Sequence, residues 1–86
     1  MLAALRTGKR VVGINQLKRA VEADRVKEVF IASDAEHKVI APLLELCGRK
    51  GIEPQRVTTM KELGEACGIQ VGASAAGLFK DDDDGQ

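Results

Sequence analysis

The sequence predicts an α/β fold, a three-layer α/β/α sandwich around a small mixed four-stranded sheet. Short β-branched or apolar runs alternate with segments whose apolar residues recur at helical spacing, the pattern of a sheet covered by helices. Residues 27–32 read as a strand, apolar without a break from Val29 to Ala32, as burial on both faces requires. The core has to be built from Val, Ile, Leu and Ala, because the 86 residues include two Phe and neither Tyr nor Trp. That length suits one domain, expected over residues 1–80.

Leu2, Leu5 and the alanines between them predict a short first helix that ends near Gly8. Residues 9–12 follow as a short strand. Asn15 is expected to cap the next helix, whose apolar stripe of Ile14, Leu17, Ala20 and Val21 runs on to Ala23. The apolar strand at 27–32 leaves through the turn Ser33-Asp34-Ala35. Val39, Ile40, Leu43, Leu44, Leu46 and Cys47 then mark a longer amphipathic helix, with Gly51 as its stop after Arg49 and Lys50. Pro42 lies inside this pattern. The helix therefore either begins around Pro42, or begins near Glu36 and bends. Residues 55–58 predict a third strand. Thr59-Met60-Lys61-Glu62 has the form of a capping box and opens a helix to about Cys67. Gly68 and Gly72 bracket a loop, and residues 74–79 make a last strand of small residues with Leu78 and Phe79 to bury.

The formal net charge of zero conceals an asymmetry. Four of the 13 acidic residues form a run at 81–84; without them 9 carboxylates face 13 Lys and Arg, a body charge of about +4. Residues 81–86 are expected to be a solvated, disordered acidic tail. Positive charge gathers early, at Arg6, Lys9, Arg10, Lys18, Arg19, Arg25 and Lys27, which favours a polyanionic partner. No apolar run approaches 18 residues and no leader pattern is visible, so a cytoplasmic protein without a membrane span is expected. Cys47 and Cys67 sit in apolar helical contexts and are not spaced as a metal or redox motif; buried free thiols are expected.

Catalytic arrangements are missing from the sequence. His37 is the only histidine and has no cluster around it, no Ser/His/Asp set or carboxylate pair can be assembled, and the glycines match neither a Walker nor a Rossmann fingerprint. No enzyme activity, metal or cofactor is expected.

Two constellations remain. Gly13-Ile14-Asn15-Gln16-Leu17-Lys18-Arg19 places a glycine, two amides and two cations around one helix start, where unpaired N–H groups and the helix dipole favour anions. Gly13 lets a large ligand approach the backbone, and amide and guanidinium groups read base edges. Taken alone, the same residues also describe an ordinary surface helix. The second is Ile69-Gln70-Val71-Gly72, where β-branched apolar residues occupy a glycine-flanked loop. They either pack against unstacked bases, in place of the missing aromatics, or plug the edge of the sheet.

Residues 13–21, the stretch Val29-Phe30-Ile31-Ala32-Ser33-Asp34-Ala35, and residues 63–76 together resemble the ribosomal protein L7Ae family, above all its small bacterial members. The three motifs stand in the family's order, and the resemblance runs from about Leu5 to Phe79. It implies an α/β/α sandwich that binds a kink-turn, a sharply bent RNA duplex with tandem sheared G·A pairs beside a short internal loop. The helix start at Gly13, Ile14, Asn15 and Gln16 would enter the widened major groove there, with Asn15 and Gln16 reading bases. Arg19 would meet a base or phosphate with Lys18 beside it; from the charge pattern rather than the resemblance, Lys9 and Arg10 are expected to add affinity for the RNA backbone. The loop Ile69, Gln70, Val71 and Gly72 would cover extruded nucleotides, and Asp34 matches an acidic position that orients neighbouring groups. Two departures stand out: many members carry Glu where this chain has Gln16, and the aspartates at 81–84 replace a further ordered helix.

The expectation is thus a non-enzymatic, monomeric kink-turn binder associated with structured RNA and with the ribosome. The alternative is a protein-interaction module within ribonucleoprotein assemblies, whose basic face would meet an acidic protein. A small-molecule-binding domain has only the phosphate-friendly helix start in its favour.

Overall fold

The computed structural model describes residues 9–80. The helix expected before Gly8 and the acidic tail expected at 81–86 lie outside them. In chain order the elements are β1 (Arg10–Val12), α1 (Ile14–Glu22), β2 (Val26–Ala32), α2 (His37–Lys50), β3 (Gln55–Val57), α3 (Met60–Cys67) and β4 (Ala75–Phe79). Every element expected from the sequence within this span is present, with bounds displaced by a residue or two.

The strands form one mixed sheet in the order β1-β4-β2-β3. β4 runs antiparallel to both β1 and β2, and β2 runs parallel to β3. The apolar β2 is an inner strand, which explains why both of its faces are apolar. Val29 and Ile31 join Leu17 and Val21 of α1 and Ile40, Leu43, Leu46 and Cys47 of α2 in one core. Phe30 and Ala32 point the other way, to Leu63 and Cys67 of α3, with Ala76 and Leu78 of β4. Among the described residues, two helices on one face and one on the other make the three layers.

A register shift between Val26 and Glu28 interrupts the β2–β4 ladder. The extra residue resets the in–out alternation, so Val26 falls into the same core as Val29 while Lys27 stays in solvent. Glycine at position 77 lets α1 sit close to the sheet; a Cβ there would lie 2.6 Å from Leu17 Cδ1.

The two readings of Pro42 are resolved in favour of the early start. α2 begins at His37 after Glu36 and runs through the proline. Pro42 removes the N–H that would bond the Lys38 carbonyl, but both residues lie on the exposed side, where water can take that carbonyl. Gly51 ends the helix in the left-handed conformation (φ 76°), as its position suggested.

Candidate nucleic-acid interface

The expectation that Asn15 caps the second helix is corrected. The cap position is Gly13, with φ 104° and ψ 146°, and no side chain bonds to the first turn. Two backbone bonds impose this. The Gly13 N–H donates to the Ala75 carbonyl at 3.0 Å, carrying the β1–β4 ladder one residue further, and its own carbonyl already accepts from Leu17 N–H at 3.0 Å. The chain must turn from strand to helix within one residue, into a region open to glycine alone.

Asn15 therefore lies inside the first turn, and its amide is not consumed as a cap. Asn15 and Gln16 are exposed, Ile14 and Lys18 half-buried, and Arg19 exposed. α1 has no acidic residue in its first turn, so the uncapped helix start stays positive. Asn15, Lys18 and Arg19 also border an open cleft of about 470 Å³ between α1 and α2, with Glu22 and Glu45 and with Arg49 from α2. Arg49 was not singled out from the sequence, where it stands thirty positions from Arg19; only the packing of α1 on α2 brings the two together.

Lys9 and Arg10 are not gathered with these residues. The Phe79 N–H donates to the Lys9 carbonyl at 3.0 Å, whereas Gly13 pairs with Ala75 at the other end of β4. Four residues of extended chain, about 13 Å, separate the two ends.

The loop after α3 divides its two apolar residues. Ile69 is half-buried against the α3-side core and donates its N–H to the Gly64 carbonyl at 3.1 Å. It plugs. Val71 is 70% exposed, the more exposed of the two large hydrophobic residues that stand in solvent among the described residues, the other being Val39 at 40%. It projects. The plugging reading therefore holds for Ile69 alone, while Val71 stands in solvent. Gln70 and Gly72 are exposed beside Val71. This loop leads into Ala75, the residue that receives the Gly13 N–H, so loop and helix start are fastened to the same end of β4.

Asp34 belongs to that end as well, and its partner is protein. Its Oδ1 accepts from the Met60 N–H, the first of α3, at 2.8 Å. Thr59 Oγ1 accepts from Glu62 N–H at 3.0 Å, the half of the expected capping box in which the threonine is acceptor. Two first-turn donors of α3 are thus satisfied, one locally and one from the turn after β2.

Cys47 and Cys67 are buried free thiols. Burial pushes both thiols up from their ordinary value of 9.0; at Cys67 the positive charge of Arg10 opposes part of that rise. Among the described residues, no group of three or more His, Cys, Asp or Glu is placed to hold a metal ion. No helix there is long and apolar enough to cross a membrane.

Residues 1–85 match the sequence pattern described as "Ribosomal protein L7Ae/L30e/S12e/Gadd45 family". A protein of Caldanaerobacter subterraneus named as RNA-binding is 50% identical over 68 residues, 79% of this chain and 83% of its own length. A Geobacillus stearothermophilus protein with the same kind of name, YbxF, is 36% identical over 76 residues, 88% of this chain and 93% of that one. Among solved structures, a 15.5 kD RNA-binding protein of Giardia lamblia superposes with a TM-score of 0.86 at 26% identity, over 98% of this chain and 74% of the other.

Proposed function

This chain belongs to the ribosomal protein L7Ae/L30e/S12e/Gadd45 family, and from that premise we propose that it is a non-enzymatic RNA-binding protein that recognises and stabilises kink-turns. One observation carries the reading. The uncapped start of α1 presents Asn15 and Gln16 to solvent at the end of the sheet where Val71 also projects. Amides next to a positive helix terminus suit purine edges beside phosphates, and an exposed aliphatic side chain suits the face of an unstacked base. A regular A-form duplex hides its base edges in a deep, narrow major groove, so such groups need a distorted target. Tandem sheared G·A pairs at a sharp bend provide one.

In this mechanism the free RNA samples straight and bent forms, and only the bent form accepts both the helix start and the loop. The protein's differential affinity then moves the population. Shifting an equilibrium from 1:99 to 99:1 takes a preference of about 10⁴-fold, which several modest contacts reach together. Lys18 and Arg19 supply salt-dependent affinity from the cleft beside Asn15, while Asn15 and Gln16 supply selectivity. Gln16 forgoes the charge assistance of a carboxylate acceptor, about 1.5–3 kcal/mol against about 0.5–1.5 for a neutral one, but it also avoids repulsion from the phosphates.

The proposal extends to a monomer acting in the cytoplasm on ribosomal or other structured RNA. Calorimetric titration with a synthetic kink-turn, and with a control whose G·A pairs are replaced by Watson–Crick pairs, tests it. Binding to the first that is stronger by at least about tenfold is expected. Equal affinity for the two RNAs contradicts it.

A further inference from the structure

Four contacts converge on Met60, the first residue of α3. Its N–H donates to Asp34 Oδ1 at 2.8 Å, and its carbonyl accepts from Ala73 N–H at 3.0 Å. Its Sδ accepts from the Ser74 hydroxyl at 3.7 Å. Its side chain lies against Gly72, where an added Cβ would stand 3.1 Å from Met60 Cβ. One turn further along α3, Gly64 seats the loop backbone directly. A Cβ on Gly64 would overlap the Val71 carbonyl oxygen and come within 3.1 Å of Gly72 Cα. The Gly64 carbonyl meanwhile accepts from Ile69 N–H at 3.1 Å.

A glycine inside a helix is destabilising relative to alanine, so one in the middle of α3 calls for a compensating contact. Here that contact is backbone lying on backbone. The loop is tied by Ile69 at one end and Ala73 at the other, and between the ties Val71 and Gly72 rest on the helix. The Val71 side chain, 70% exposed, is carried on a main chain with little freedom to rise or sink. Preorganisation of this kind reduces the ordering cost of binding.

We propose that Gly64 and Met60 are positioning residues that fix how far Val71 projects, and thereby set the preference for an unstacked nucleotide facing the loop. The inference rests on the RNA-binding reading above. Asp34 acts as the tie that holds Met60 to the turn after β2, and through it the loop.

Amide hydrogen exchange on the free protein and binding to two RNA probes test this together. The probes are a synthetic kink-turn with an intact internal loop and the same RNA with an abasic site there. In the parent protein the abasic site lowers affinity about tenfold, the scale of coupling between groups in contact. In Gly64→Ala the Ile69 and Ala73 amides exchange faster by about tenfold while β2 amides keep their protection. Affinity for intact RNA falls by about the abasic factor, and the abasic site then adds less than about twofold. Asp34→Ala moves both readouts the same way, and Asp34→Asn, which keeps an oxygen acceptor, restores most of the loss. Unchanged exchange in Gly64→Ala, or a full abasic penalty in it, overturns the inference. If Gly64→Ala unfolds, the Asp34 pair decides by the same criteria. Failure of the parent protein to bind either RNA would strike the RNA-binding reading instead, with the exchange data still deciding whether Gly64 and Met60 position the loop.

Discussion

Gly13→Ala and Gly48→Ala should change stability in opposite directions. Apart from its chain neighbours and, for Gly48, its own helix backbone, neither glycine would place its new Cβ within 4 Å of a heavy atom, so tertiary packing contributes to neither substitution. What differs is the backbone. Gly13 holds φ 104° and ψ 146°, where an L side chain costs about 1–3 kcal/mol. Gly48 is helical in the last turn of α2, where alanine gains about 0.5–1 kcal/mol over glycine. The two variants should therefore differ by about 1.5–4 kcal/mol. For a domain of this size each kcal/mol moves Tm by about 4–8 °C, so the gap is easily read by thermal or urea unfolding. Gly13→Ala should also weaken kink-turn binding beyond its effect on folding, because relaxing Gly13 re-aims the first turn that carries Asn15 and Gln16. The reasoning is refuted if both variants shift stability in the same direction by similar amounts.

Asn15→Ala should cost about 1–3 kcal/mol of kink-turn binding and narrow the gap to the G·A-disrupted control, with thermal stability nearly unchanged because the side chain caps nothing. Arg19→Ala should lower the slope of log affinity against log salt by about 1, and Lys9→Ala by less, since Lys9 stands at the far end of β1. Thr59→Ala should destabilise the fold by about 1 kcal/mol through loss of the Glu62 N–H acceptor, measurable by urea unfolding. Cys47 and Cys67 should react with a thiol reagent only on unfolding. Because burial raises both thiols above 9.0, the native state keeps them neutral while the unfolded chain ionises; stability should hold below about pH 9 and decline above it.

The layers were legible because their determinants are local. The apolar run from Val29 to Ala32 marked an inner strand, and the stripe through Leu17 and Val21 marked a helix with one buried face. Position 42 was not legible, since tolerance of a proline depends on whether the orphaned carbonyl meets water, which is a property of the packed helix. The place of Asn15 inside the first turn was not legible for a related reason. Amides are common helix caps, and only the pairing of Gly13 with Ala75 shows where the helix begins. Ile69 and Val71 looked alike in the chain; their opposite fates follow from the tie between Ile69 and Gly64. Gly64 itself carries a sequence signal, a glycine inside a short amphipathic helix. Arg49 left none, because its place beside Arg19 is a consequence of helix–helix packing.

End-labelled kink-turn RNA, followed by fluorescence energy transfer during titration with the protein at low ionic strength, tests the central claim most directly. Saturable compaction is expected with the parent protein, with the midpoint moved to higher concentration in Asn15→Ala and no compaction of the G·A-disrupted RNA. Binding without compaction, or equal compaction of both RNAs, would contradict it.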